Sequence, residues 1–152
     1  MDWDKDLLRK YICYLKSLYE FWKSSHWICS GQNFYSDHLL FERISNSIQE
    51  QVDQVAEKFV GIFGEDIVKV HLTSKIICQM LEDKEINNSE DILKIGCKFE
   101  EEFLGFSKEL YNGMKEDEVL TLGLDDMIMT VCSAHEEFCY LLGQRAKNGK
   151  QD

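Results

Sequence analysis

The chain has 152 residues, a net charge of −11, nine glycines, no proline and 44% apolar residues. That length suffices for one domain, residues 1–152, with a real core. A proline-free, glycine-poor composition favours helices over sheets needing many turns, and the acidic balance argues against a phosphate-neutralising surface, which would need Lys and Arg.

Six cysteines, at 13, 29, 78, 97, 132 and 139, form no CxxC pair, which removes zinc-knuckle and thioredoxin-type motifs and predicts buried, reduced thiols. The start, MDWDKDLLRK, is too acidic for a secretory signal, and charges interrupt every apolar run short of the roughly 18 residues of a membrane span. A cytoplasmic protein with no membrane contact is expected.

From Asp4 to Cys29, Leu8, Ile12, Leu15, Tyr19, Trp22, His26 and Cys29 recur at alternating spacings of four and three, the stripe of a long packed helix. His26 lies on that stripe and so faces a partner helix. Gly31-Gln32-Asn33 breaks the helix, with Phe34 and Tyr35 expected to pack under the turn. Ser36 or Asp37 can cap a second helix running to Phe63, with Phe41, Ile44, Ile48, Val52, Val55, Ala56 and Phe59 as its apolar positions.

Gly64-Glu65-Asp66 interrupts, and a shorter stretch, Ile67 to Leu81, carries His71, which has no carboxylate at i±4 and reads as surface or packing. A loop, KEINNSED, offers Ser89 as the next cap. The third long helix, about Glu90 to Lys115, repeats Leu93, Cys97, Phe99, Phe103, Phe106 and Leu110 inward and leaves Glu100, Glu101 and Glu102 as a solvated face. A fourth, about Leu122 to Arg145, turns Leu124, Ile128, Val131, Cys132, His135, Phe138 and Leu142 inward, with Arg145, Lys147 and Lys150 near its end to suit the helix dipole. The fold class expected is all-α: a ferritin-like four-helix bundle with a short helix in the long crossover between the second and third helices.

The second helix carries a second pattern. His38 and Glu42 are four apart, as are Asp53 and Glu57, and all four side chains fall within an arc of roughly 100°. They share a face but not an ion, because Glu42 and Asp53 are about 16 Å apart along the axis while metal–ligand bonds are about 2 Å. Both pairs are centred between Ser47 and Ile48. Two copies crossing antiparallel about a two-fold axis there would set His38 against Glu57 of the mate and Glu42 against Asp53 of the mate. Ferritin-like bundles normally take Glu-x-x-His from each of two helices; this chain contains no such motif, which favours the interchain cluster.

The segment His26-Trp27 through Gly31, Phe34, His38 and Phe41, followed by Asp53, Ala56 and Glu57, resembles the signature of the Dps miniferritins, with matching gaps between the histidines and from His38 to Asp53. The resemblance continues more weakly through Ala134-His135-Glu136 in the last helix. It implies a ferroxidase: two-fold dimers assembled into a hollow dodecamer that oxidises Fe(II), preferably with hydrogen peroxide, and stores ferric iron, protecting against oxidative damage. Each inter-subunit site would hold two irons, one on Asp53 and Glu57 with His26 of the mate, the other on His38 and Glu42 of that mate. The family usually has Asp where this chain has Glu42, one methylene longer. Trp27 matches an aromatic beside the family's site that takes up a stray oxidising equivalent. The family's Lys-rich DNA-binding tail has no match here, so direct DNA contact is not expected. The alternatives are a non-catalytic shell with a degenerate metal site and a DNA-associating shell.

Overall fold

A computed structural model describes residues 1–147. Its helices are α1 (Lys5–Ile28), α2 (Phe34–Phe63), α3 (Val70–Leu81), α4 (Ser89–Glu116) and α5 (Leu122–Ala146), with a 3-10 turn, Glu65–Val68, between α2 and α3. The four long helices form the bundle. α1 packs on α2, α3 and α4, while α5 packs on α4 and α2. No helix among the described residues is long and apolar enough to cross a membrane.

Local chemistry fixes the helix ends. The Asp4 carboxylate accepts from the amides of Asp6 and Leu7, both at 3.1 Å, satisfying donors that no helical carbonyl can reach. The Thr121 hydroxyl does the same for Leu124 at 3.1 Å. At α4 the cap is Asn88, accepting from Asp91 at 3.1 Å, and Ser89 is the first helical residue instead of the cap. Gly31 (φ 95°), in the turn between α1 and α2, and Gly64 (φ 102°), directly after α2, occupy the left-handed backbone region.

The start of α2 differs from expectation. The helix begins at Phe34 after Asn33, so neither Ser36 nor Asp37 caps it. Asp37 instead turns inward, and its carboxylate accepts from Arg145 Nε at 2.6 Å and Nη2 at 3.0 Å, tying the first turn of α2 to the last turn of α5. Arg145 is therefore half of a largely buried bidentate ion pair as well as a dipole partner. Phe34 and Tyr35 do not pack under a turn; they are 41% and 73% exposed. Lys150 lies outside the described residues.

The core runs the length of the bundle, through Leu8, Ile12, Leu15, Phe41, Ile44, Phe59, Phe99, Phe103, Ile128 and Leu142. One close approach governs its middle. Gly96 on α4 lies directly against Trp22 of α1, where a Cβ would come 2.3 Å from indole Cη2 and 2.7 Å from Cζ2. The indole is fully buried and has nowhere to retreat. Overpacking of this kind costs about 3 kcal/mol, against a helix-propensity gain of about 1 kcal/mol for Ala over Gly. Gly96→Ala is therefore expected to destabilise the protein by about 2 kcal/mol, read as a lower urea midpoint. An unchanged or higher midpoint would show that the indole has room.

Candidate metal centre

The α1–α2 corner positions two of the five expected ligands. Ser25 and His26 face inward at the end of α1, a short turn through Gly31 reverses the chain, and α2 brings His38 back alongside. The imidazoles of His26 and His38 stack with centroids 3.8 Å apart. Their hydrogen bonds are reciprocal: His26 Nδ1 lies 2.6 Å from the His38 carbonyl oxygen, and His38 Nδ1 lies 2.7 Å from the His26 carbonyl oxygen.

A carbonyl oxygen only accepts, so each Nδ1 carries a hydrogen. In the neutral rings the lone pair then sits on Nε2 in both, the tautomer a metal-ligating histidine needs. His26 is 7% exposed, and His38 is half-buried under the ring of Phe34, 5.0 Å away. Both are held by backbone rather than by side chains, so their orientation is set once the corner folds.

The remaining expected ligands lie farther along α2. Glu42 is half-buried one turn past His38, while Asp53 and Glu57 are exposed on the outer face of the helix. Among the described residues, no three His, Cys, Asp or Glu side chains of one chain converge closely enough to hold a metal ion. Around the histidines, Trp27, Ile28, Phe34, Tyr35 and Leu39 are between 41% and 73% exposed, an apolar surround for a half-formed polar site. Trp27 itself is 65% exposed, with the Lys23 ammonium 5.9 Å from its ring.

The structure also holds a polar layer that the sequence pattern does not announce. Each long helix contributes one residue: Trp22 from α1, Gln51 from α2, Glu100 from α4 and His135 from α5. Trp22 Nε1 donates to Glu100 Oε1 at 2.9 Å, Glu100 Oε2 shares a short hydrogen bond with His135 Nδ1, and His135 Nε2 lies 2.7 Å from Gln51 Oε1. Glu100 and His135 are both fully buried, so Glu100 does not belong to the solvated face that Glu101 and Glu102 form. The signal was its register: Glu100 is four residues after Gly96 and three before Phe103, on the buried stripe of α4.

All six cysteines are free thiols, but they are not uniformly buried: Cys13 and Cys29 are, Cys97, Cys132 and Cys139 are half-buried, and Cys78 is exposed. Burial pushes the Cys13 and Cys139 thiols up to about 11, with the neighbouring Glu100 and Cys97 adding to the effect at Cys139. Burial also raises Cys29, where Asp37 contributes, and Cys97 and Cys132.

With the fold and corner in view, the likeness to known proteins has a structural meaning. The chain superposes on Dps from Thermosynechococcus elongatus with a TM-score of 0.83, covering 96% of this chain and 91% of that one at 16% identity. Dps from Microbacterium arborescens, solved in a high iron form, gives 0.76 over 94% and 91% at 19% identity. Dps from Vibrio cholerae O1, described as one of a broad superfamily of ferritin-like diiron-carboxylate proteins, gives 0.77 over 94% and 88% at 17% identity. The fold is that of the Dps miniferritins. In sequence, general stress protein 20U of Bacillus subtilis is 26% identical over 118 residues, 77% of this chain and 79% of that protein. No family model matches the chain.

The thiolate is the reactive form, and a thiol near 11 is thiolate at only about one part in a thousand at pH 8. Alkylation of the native protein should therefore modify Cys78 first and the other five slowly. The rates at Cys13 and Cys139 should still be climbing about tenfold per pH unit at pH 9. Peptide mapping after brief iodoacetamide treatment checks this; rapid labelling of Cys139 at neutral pH would contradict it.

Proposed function

We propose that this protein is a Dps-type miniferritin: a cytoplasmic, single-domain ferroxidase that oxidises Fe(II) with hydrogen peroxide at centres shared between two copies and stores ferric iron inside a dodecameric shell. The observation that carries this reading is the reciprocal histidine clasp. Both Nδ1 atoms are committed to backbone carbonyls, leaving both Nε2 atoms as preset donors beside an exposed apolar surround.

A second copy accounts for the other half of the arrangement. Asp53 and Glu57 stand exposed on α2, too far along the helix to join the histidines of their own chain. An antiparallel mate would carry its own Asp53 and Glu57 to the corner and cover Trp27, Ile28, Tyr35 and Leu39. Each two-fold pair then has two centres, with His26, His38 and Glu42 from one chain and Asp53 and Glu57 from the other.

Mixed imidazole and carboxylate ligands suit Fe(II), and the carboxylates favour the harder Fe(III) after oxidation. Two irons about 3.5–4 Å apart can each give one electron, so that peroxide goes to two waters without releasing hydroxyl radical. Glu42 reaches farther than the Asp that the family carries at this position. The second iron consequently depends on a longer, more flexible side chain than the first, and the two positions should differ in affinity.

In Asp53→Ala and His26→Ala, assembly should persist while peroxide-driven Fe(II) oxidation, followed by stopped-flow absorbance, slows by more than about tenfold. Wild-type kinetics in either variant, at two Fe(II) per centre, would end the site assignment.

A further inference from the structure

We propose that Cys97 on α4 and Cys139 on α5 form a two-sulfur site for a soft monovalent cation of the Cu(I) type. The site shares no residue with the proposed ferroxidase centre, and neither needs the other.

The pairing follows from the register of two antiparallel helices. Glu100 meets His135 and, farther along, Tyr111 meets Asp125, so eleven residues of α4 run against ten of α5. In the other direction, three residues before Glu100 is Cys97, and three and four residues after His135 are Phe138 and Cys139. Phe138 turns into the core, which leaves Cys139 as the partner for Cys97. The side of the seam agrees as well. Cys97, Leu104 and Tyr111 recur every seven residues on α4, and Asp125, Cys132 and Cys139 every seven on α5, so both cysteines continue the stripes on which Tyr111 meets Asp125. Between those two layers, Leu104 and Cys132 line one groove.

Both thiols are half-buried, and Cys97 lines an open cavity of about 870 Å³ bounded by the α1–α2 turn, the start of α4 and the last turn of α5. The other thiols are placed differently. Cys13 and Cys29 are buried, Cys78 stands exposed on α3, and Cys132 lies two turns from Cys139, about 10 Å of rise.

Two sulfurs without a third ligand select the ion. Zn(II) takes four ligands in a tetrahedron, and among the described residues no three His, Cys, Asp or Glu side chains converge. Cu(I) prefers thiolates and is satisfied by two of them in line. Metal–sulfur bonds of about 2.3 Å hold the bridged sulfurs up to about 4.6 Å apart, against about 2.05 Å in a disulfide. The longer bridge suits side chains on packed helices whose axes lie about 8–10 Å apart.

The surroundings favour a cation. Burial raises the proton affinity of both thiols, and Glu100 and Glu101, with Glu136 at Cys139, raise it further. A carboxylate field that holds a proton on sulfur also favours another monovalent cation there. Glu90, Lys94 and Arg145 line the same cavity, and Arg145 is already paired with Asp37. Binding is an exchange without electron transfer. Cu(I) displaces one proton from each thiol, giving an anionic bis-thiolate complex and two protons in solvent.

The test uses the iron-free full-length protein under anaerobic conditions, with Cu(I) offered as its coloured complex with bicinchonate. One Cu(I) per chain should leave bicinchonate with release of two protons, and X-ray absorption should show two sulfur neighbours and no nitrogen. At pH 9 the bound ion should protect Cys97 and Cys139 from iodoacetamide while Cys78 is still labelled, a readout that needs no variant to fold. Cys97→Ser and Cys139→Ser should each surrender the ion to bicinchonate, and Cys78→Ser should keep it. Retention by both the Cys97→Ser and Cys139→Ser proteins, nitrogen bound to the copper, or protection that falls on Cys78 or Cys132 would overturn the site. So would failure of the wild-type protein to hold Cu(I) against bicinchonate. Each of these outcomes leaves the ferroxidase reading standing.

Discussion

The pair of hydrogen bonds that joins His26 and His38 across the α1–α2 corner is the constraint on which the rest of the structure depends. Each imidazole donates to the main chain of the other. The bonds therefore fix two things at once: the angle at which α2 leaves α1, and the face each ring turns outward. Donation to backbone carbonyls is also tolerant of the surrounding sequence, because any residue at the partner position supplies a carbonyl. Only the imidazoles themselves are irreplaceable. The Asp37–Arg145 ion pair reinforces the corner from the other side, anchoring the residue next to His38 to the end of α5. A corner held in this way needs no metal ligand to keep its geometry.

The polar layer at mid-bundle is a second constraint, with different energetics. Glu100 and His135 are fully buried, and His135 is flanked by Phe103 and Phe138 with ring centroids at 4.6 and 5.0 Å. Taking such groups out of water costs several kcal/mol per unpaired charge, and the layer limits that cost by giving both Glu100 oxygens and both His135 nitrogens a partner. The Trp22 indole and the Gln51 amide each take one position, and Glu100 and His135 bond to each other. Each long helix supplies one member, so the layer also sets the register of all four helices at one level. Sliding any helix by a turn would leave a buried carboxylate or imidazole unpaired.

These two constraints differ in how visible they are from the sequence. The helices, their order and the short element in the crossover follow from apolar periodicity and from the absence of proline. His26 and His38 stood out because a histidine on an apolar stripe and a histidine beginning an acidic face are both unusual. Glu100 was hidden by its neighbours: three consecutive glutamates read as solvent-facing, whereas a helix turns about 100° per residue and the first of the three points inward. Asp37 reads as a cap because a carboxylate near a helix start is most often one. Its true partner, Arg145, is 108 residues away, beyond the reach of any local rule. Phe34 and Tyr35 read as packing under the turn because aromatics usually are buried. Under the proposed pairing, Tyr35 belongs to the apolar surface that a second copy covers.

That last point bears on how assembly and chemistry are linked. Under the proposed reading, the isolated chain carries two preset imidazoles on one side and two exposed carboxylates on the other, with no single-chain route to join them. Iron then binds the paired state far better than the separate chains, and any ligand with that preference stabilises the pair by RT ln(1 + [L]/Kd), about 2.7 kcal/mol at a hundred times Kd. The apolar surround, Trp27, Ile28, Tyr35 and Leu39, supplies a driving force for pairing that needs no metal, and the carboxylates supply one that does. A centre divided in this way cannot oxidise iron in a chain that has not assembled. Ferric product would therefore form only where two copies have already paired.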